Sequence, residues 1–190
     1  MTKVGFVRHG ITAWNKEGRA QGSSDIPLDE EGRQEAEKVA GRLCGEAWDV
    51  IYASDLLRAK ETAESIAREI GHVELHFDTR LRERNGGQIE GTTEEERVLK
   101  WGTDWPMLDL GLETNESIVE RGMACLNEIV EKHEGENILI VSHGAFIKRL
   151  LTHVISDIDH NSSLANTSVT CIVARDNGWE LDLFNCTKHL

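Results

Sequence analysis

At 190 residues, 39% apolar and 29% charged, the chain is long enough for one substantial core and short for two, so one domain over residues 1–190 is expected. A formal net charge of −13 opposes nucleic-acid binding, which draws on a basic surface to displace counterions, but leaves room for a small local cationic pocket. No apolar run approaches the roughly 18 residues of a membrane span, Met1-Thr2-Lys3 opens no secretory pattern, and Cys44, Cys125, Cys171 and Cys186 form no CxxC pair, so a cytoplasmic protein with reduced thiols, no membrane partner and no metal cluster is expected.

In chain order, Val4-Gly5-Phe6-Val7 predicts a buried strand near 3 to 8. A helix follows near 29 to 46 with Asp29 as its N-cap, then a strand near 49 to 54, a helix near 56 to 70 capped by Asp55, and a strand near 73 to 78. The acidic stretch near 93 to 112 carries Trp101, Trp105, Met107, Leu108, Leu110 and Leu112, which read more readily as core than as a roof over a site. A helix near 115 to 133, a strand near 137 to 142 and a helix near 145 to 155 come next. The tail alternates from Val169 to Val173, turns at Asp176-Asn177-Gly178 and resumes from Trp179 to Phe184, which is a hairpin signal. Cys171 and Cys186 then stand as neighbours on late strands, without a functional disulfide being expected. The whole predicts a single α/β domain with a mainly parallel central sheet, an antiparallel edge and helices on both faces.

Three strand ends carry reactive side chains. The first strand ends in Arg8-His9-Gly10 and the late one in Ser142-His143-Gly144, while Tyr52-Ala53-Ser54 runs into Asp55-Leu56-Leu57-Arg58. Two histidines and two arginines thus fall at the C-terminal ends of strands, where open α/β sheets bind their ligands. The ordered set resembles the histidine phosphatase superfamily, also called the phosphoglycerate mutase-like family, and its phosphatase branch in particular. The resemblance spans most of the chain. It continues through Thr12 and Asn15, Arg19-Ala20-Gln21-Gly22, Asp25-Ile26-Pro27-Leu28 and Gly32-Arg33-Gln34-Glu35-Ala36 to Leu81-Arg82-Glu83-Arg84 and Glu90-Gly91.

The resemblance implies a metal-independent, cofactor-free phosphatase acting on small phosphate monoesters, with His9 as the residue that is phosphorylated. A neutral imidazole attacks phosphorus when a backbone carbonyl holds its other nitrogen, and the adjacent arginine keeps it neutral. Arg8 and Arg58 are the expected phosphate clamps, because a planar, permanently charged fork matches two phosphoryl oxygens. His143 is a further donor to the transferring group. Asn15, Gln21 and Gly22 lie in the loop after the nucleophile and are candidate substrate-binding residues. Glu83 is the general acid by resemblance alone, one of 34 acidic residues. In its loop Asn85 and Ile89 stand where family phosphatases commonly carry a histidine and a tryptophan, which leaves the leaving-group preference open.

The rival within the family is a cofactor-dependent phosphoglycerate mutase, with which the chain shares Glu83-Arg84. Those mutases are longer, and a neighbouring arginine pair holds the second anionic end of their substrate; residues 94–104 here have isolated cations among carboxylates. Two readings from other classes are a metal-dependent hydrolase with His9, His143 and Glu83 as ligands, and a catalytically silent binding module. Which ester is hydrolysed, and the oligomeric state, are not legible in the sequence.

Overall fold

Unbroken apolar runs along β1 (Lys3–Arg8) and β4 (Asn137–Ser142) give each strand two buried faces. The computed structural model describes residues 1–156, 158 and 163–190. Between and after these strands run α1 (Ala13–Lys16), α2 (Glu30–Leu43), β2 (Val50–Ala53), α3 (Leu57–Ile70), β3 (Glu74–Phe77), α4 (Glu94–Trp101) and α5 (Asn115–Lys132). The order closes with α6 (Gly144–Val154), β5 (Val169–Arg175) and β6 (Gly178–Cys186). The six strands form one sheet in the order β3-β2-β4-β1-β5-β6. The first four are parallel, and β5 and β6 make the antiparallel edge.

Val4, Phe6, Ile138 and Ile140 pack with Ile118 and Leu126 of α5 and Phe146 and Leu150 of α6. Val7, Ile51, Leu139 and Val141 pack on the other face with Val39 and Leu43 of α2 and Ala59 and Ile66 of α3. The period-two register thus feeds two separate apolar clusters, one per layer of helices. From the β1–β4 pair the chain leaves toward β2 on one side and toward β5 on the other, so a crevice opens above the C-terminal ends of these two strands. Residues 9 and 143 occupy it.

The expected cap Asp29 is present, its carboxylate accepting from Gly32 N–H at 2.8 Å. The expected cap Asp55 is not: α3 begins after Leu56 without a side-chain cap of its own. The Asp55 carboxylate instead forms a two-pronged pair with Arg82, at 2.7 and 2.5 Å, which outweighs a single bond to a helix N–H. Asp25, from a distant loop, accepts from Leu57 N–H in its place.

The stretch near 93 to 112 also departs from expectation. Of the six apolar residues named there only Leu110 is buried, while Met107 and Leu108 are exposed and Trp101, Trp105 and Leu112 are half-buried. Trp105 faces polar partners, donating to Glu94 Oε1 at 2.8 Å and lying under the Arg97 guanidinium. A tryptophan tied by its N–H at the surface covers apolar area without entering the core. In the hairpin Cys171 stands opposite Leu183 and Cys186 opposite Val169, and all four cysteines are free thiols. Among the described residues no helix is long and apolar enough to cross a membrane.

Candidate active site

His9 leaves the end of β1 and is buried. Its N–H donates to Ser142 O at 3.0 Å and its carbonyl accepts from Asn166 Nδ2 at 2.9 Å, so backbone contacts on both sides fix the residue. Its Nδ1 lies 2.7 Å from the Gly10 carbonyl. A carbonyl only accepts, so that geometry assigns the proton to Nδ1 and leaves a lone pair on Nε2.

His143, just past β4, is fully buried, and its ring centroid lies 5.2 Å from that of His9. Its Nε2 is 2.8 Å from Ser54 Oγ at the end of β2. Two strand ends are thereby joined through one imidazole. Its Nδ1 is buried and has no hydrogen-bond partner.

Arg58, on the first turn of α3, is fully buried and donates to the carbonyls of Ser24 at 2.7 Å and Gly22 at 2.8 Å. Arg8 donates to Leu164 O at 2.5 Å. In both guanidiniums Nε is buried and unpartnered. Gly144 lets Arg8 lie close, since a Cβ there would stand 3.2 Å from its Nε. Burial pushes the Arg58 guanidinium down to about 10 and lowers Arg8 as well. Burial first, then the charge of Arg58, holds both His9 and His143 well below the ordinary imidazole value. Two neutral rings and two desolvated cations therefore share one cleft, an arrangement that is costly until an anion enters it.

Glu83 reaches the same cleft from the loop after β3. Its Oε1 accepts from Arg84 N–H at 2.8 Å and Phe146 N–H at 2.9 Å, and its Oε2 from Ala145 N–H at 3.1 Å. The carboxyl group sits on the N-terminus of α6, directly after His143, where free N–H groups favour an acceptor. Its charge acts on both Arg8 and Arg58.

The first loop is organised around Thr12, which caps α1 and whose hydroxyl donates to Gln21 Oε1 at 2.9 Å. Asn15 Oδ1 accepts from Thr12 N–H at 3.1 Å. Gly22 acts through its carbonyl on Arg58 and has a φ of 51°, with the Glu90 carboxylate packed where a Cβ would be. Glu90 itself accepts from Ser23 N–H, Ser24 Oγ and Gly86 N–H, stitching the two loops together.

Several contributing residues had no role in the sequence reading. Thr62 accepts from Gly10 N–H and donates to Arg58 O, joining α3 to the nucleophile loop. Ser142 Oγ donates to Leu81 O, Asn166 holds the His9 carbonyl, and Arg121 grips the Glu83 loop. The Ser54 and Ser142 strand-end positions were visible in sequence. Asn166 had no local signal, because its partners lie 151 and 157 residues away.

A sequence profile described as the histidine phosphatase superfamily, branch 1, matches residues 4–187. The chain belongs to that superfamily. It is 32% identical to the metal-independent phosphoserine phosphatase of Arabidopsis thaliana, over 100% of this chain and 84% of that one. It is 37% identical to a protein of Salmonella paratyphi A named "Probable phosphoglycerate mutase GpmB", over 94% of this chain and 88% of that one. Among solved structures, a mutant phosphoserine phosphatase from Entamoeba histolytica in complex with phosphoserine superposes with a TM-score of 0.85 at 33% identity, covering 100% of both chains. The likeness in fold to the Entamoeba structure thus extends over the whole length of this chain. Among the described residues, no three His, Cys, Asp or Glu side chains group as metal ligands.

Proposed function

We propose that the protein is a metal-independent phosphatase that hydrolyses small phosphate monoesters through a phosphohistidine on His9. One observation carries the reading: two buried, neutral imidazoles with centroids 5.2 Å apart lie beside two guanidiniums whose Nε groups have no partner. A phosphoryl group supplies the missing acceptors and the missing negative charge.

Nε2 of His9 attacks phosphorus as the bond to the ester oxygen breaks, and Glu83 gives its proton to the departing alkoxide. Arg8, Arg58 and the Nδ1 side of His143 take the equatorial oxygens, with Asn15 and Gln21 offering amide groups from the loop after His9. Glu83 then removes a proton from water as the water oxygen attacks phosphorus. The P–N bond breaks, its electrons return to Nε2, and inorganic phosphate leaves. Two cations in a desolvated cleft repel a dication, which supports a route without metal. The likeness to the Arabidopsis enzyme supports it too.

Hydrolysis is favoured over mutase chemistry by the state of the cations outside the cleft. Arg97 is committed to the Thr92 carbonyl, to Glu94 and to the Trp105 ring, and Lys100 lies over Trp101. A second anionic end of a substrate finds no arginine pair in that stretch.

The test is rapid quenching of enzyme mixed with phosphoserine, handled at alkaline pH and mapped by mass spectrometry. An added mass of about 80 Da is expected on His9, the signature of a covalent phosphoenzyme. Label confined to serine or aspartate, full turnover by His9→Ala, or activity abolished by chelator overturns the reading.

A further inference from the structure

We infer that Arg121, on α5, is a positioning residue for the leaving-group acid: its guanidinium fixes the backbone of the loop that carries Glu83 and keys that loop to the start of α6. The inference rests on the reading of Glu83 as the acid.

Each of the five N–H donors of this side chain has an acceptor. Nη1 donates to Arg80 O at 2.6 Å and Arg82 O at 2.8 Å. Nη2 donates to Glu83 O at 3.2 Å and Glu113 Oε2 at 3.0 Å, and Nε to Glu113 Oε1 at 2.7 Å. Three acceptors are backbone carbonyls from one short segment, 80–83, which has no sheet partner to take them. A planar fork reaches three carbonyls and a carboxylate together; a single ammonium does not.

Glu113 extends the grip past the acid. Its Oε2 accepts from Asn85 N–H at 3.1 Å, its N–H donates to Asn85 O at 2.9 Å, and its carbonyl takes Arg84 Nε at 2.7 Å. The backbone is therefore held before Glu83 by Arg121 directly and after it by Arg121's own counter-ion.

The other half of the arrangement is the ring of Phe146, whose N–H donates to Glu83 Oε1. The Arg121 guanidinium lies 5.0 Å from that ring centroid. Gly122 makes the approach of α5 to α6 possible, since a Cβ there would stand 3.1 Å from the Phe146 ring. One side chain thus touches both the loop that presents the carboxyl group and the residue that receives it. An acid displaced by about an ångström from its leaving oxygen loses much of its effect, up to roughly a hundredfold.

Single-turnover rates with excess enzyme, for phosphoserine and for p-nitrophenyl phosphate, test the inference in the wild type, Arg121→Gln, Arg121→Lys, Glu83→Gln and the Arg121→Gln/Glu83→Gln double variant. Nitrophenolate departs unaided, whereas the serine alkoxide needs the proton. Arg121→Gln is expected to slow phosphoserine about 10- to 100-fold and p-nitrophenyl phosphate less than about 3-fold, with no further loss on top of Glu83→Gln. Arg121→Lys keeps the charge and is expected not to restore the rate. Glu113→Gln, which keeps the three carbonyl bonds, is expected to give a weaker loss of the same selectivity and decides the matter if the Arg121 variants do not fold. Equal losses for both esters, or losses that add fully to those of a selective Glu83→Gln, overturn the positioning role. An unselective Glu83→Gln instead removes the acid reading itself, and the inference falls with it.

Discussion

At the floor of the cleft Arg58 and His143 are fully buried and held by backbone carbonyls and a serine hydroxyl, whereas on the rim, between residues 84 and 112, Leu99 and Met107 are 89% and 86% exposed. The rim is tied by ion pairs that reach water, such as Arg19–Glu96 and Arg19–Glu17. The floor concentrates desolvated charge at the ends of parallel strands, where rigid backbone keeps it from relaxing. The rim relies on solvated pairs that contribute little each. Desolvated charge and solvated polar contacts therefore sit in parts of the molecule with different physics, and the first tolerates less change than the second.

The largest expected effect separates the two regions directly. Arg8→Ala and Arg58→Ala should each lose roughly 10²- to 10⁴-fold in kcat/KM, because contacts to the transferring group in a desolvated site act mainly in the transition state. Lys100→Ala, on the rim, should change it less than about threefold. Steady-state kinetics with phosphoserine and p-nitrophenyl phosphate check both. A loss from Lys100→Ala as large as that from Arg58→Ala would dissolve the distinction and restore a second anion site.

A pH series sharpens the comparison in stability rather than rate. The unfolded imidazoles take up protons as pH falls below the ordinary value of 6.5, while His9 and His143 stay neutral in the fold. Over that window the unfolded state binds more protons, so stability falls as pH drops, by up to about 1.4 kcal/mol per pH unit for each histidine. Glu94 is held below 4.5 chiefly by Trp105, and Glu96 chiefly by Arg19, so the rim responds only at lower pH. Urea denaturation between pH 7.5 and 5.5 should show the slope, and the His9→Gln/His143→Gln double variant should flatten it. An unchanged slope in that variant removes the buried pair as its source.

The smallest effect is expected at the exposed rim positions. Leu99→Gln and Met107→Gln should stay within about 0.5 kcal/mol of the parent, since neither side chain leaves a cavity or an unpaired group. Thermal unfolding checks this, and a clear loss would mean that the rim is packed in a way its exposure does not reveal.

Legibility in the sequence followed the same division. Arg8, His9 and His143 were readable because each lies within one or two residues of an apolar run that ends where a parallel sheet ends. Arg58 was readable only with the family resemblance, since by spacing alone it suits a solvated helix face. Its actual partners are carbonyls 34 and 36 residues upstream. The cap assigned to Asp55 failed for a related reason, because a bidentate pair with Arg82, 27 residues away, competes successfully with a local helix N–H. Trp105 failed as core because side-chain hydrogen bonding at the surface is invisible in an apolar pattern.

What the sequence determined by itself was the alternation of strands and helices, the two-faced burial of β1 and β4 and the two histidine triplets at their ends, all set by local periodicity and steric preference. The tertiary structure alone decided which nitrogen of His9 is free, which atoms of Arg8, Arg58 and His143 are left without partners, and how Arg121 holds the Glu83 loop. Those features depend on groups brought together from distant parts of the chain and on the exclusion of water between them. Neither is encoded at any single stretch of residues, because desolvation is a property of the packed whole.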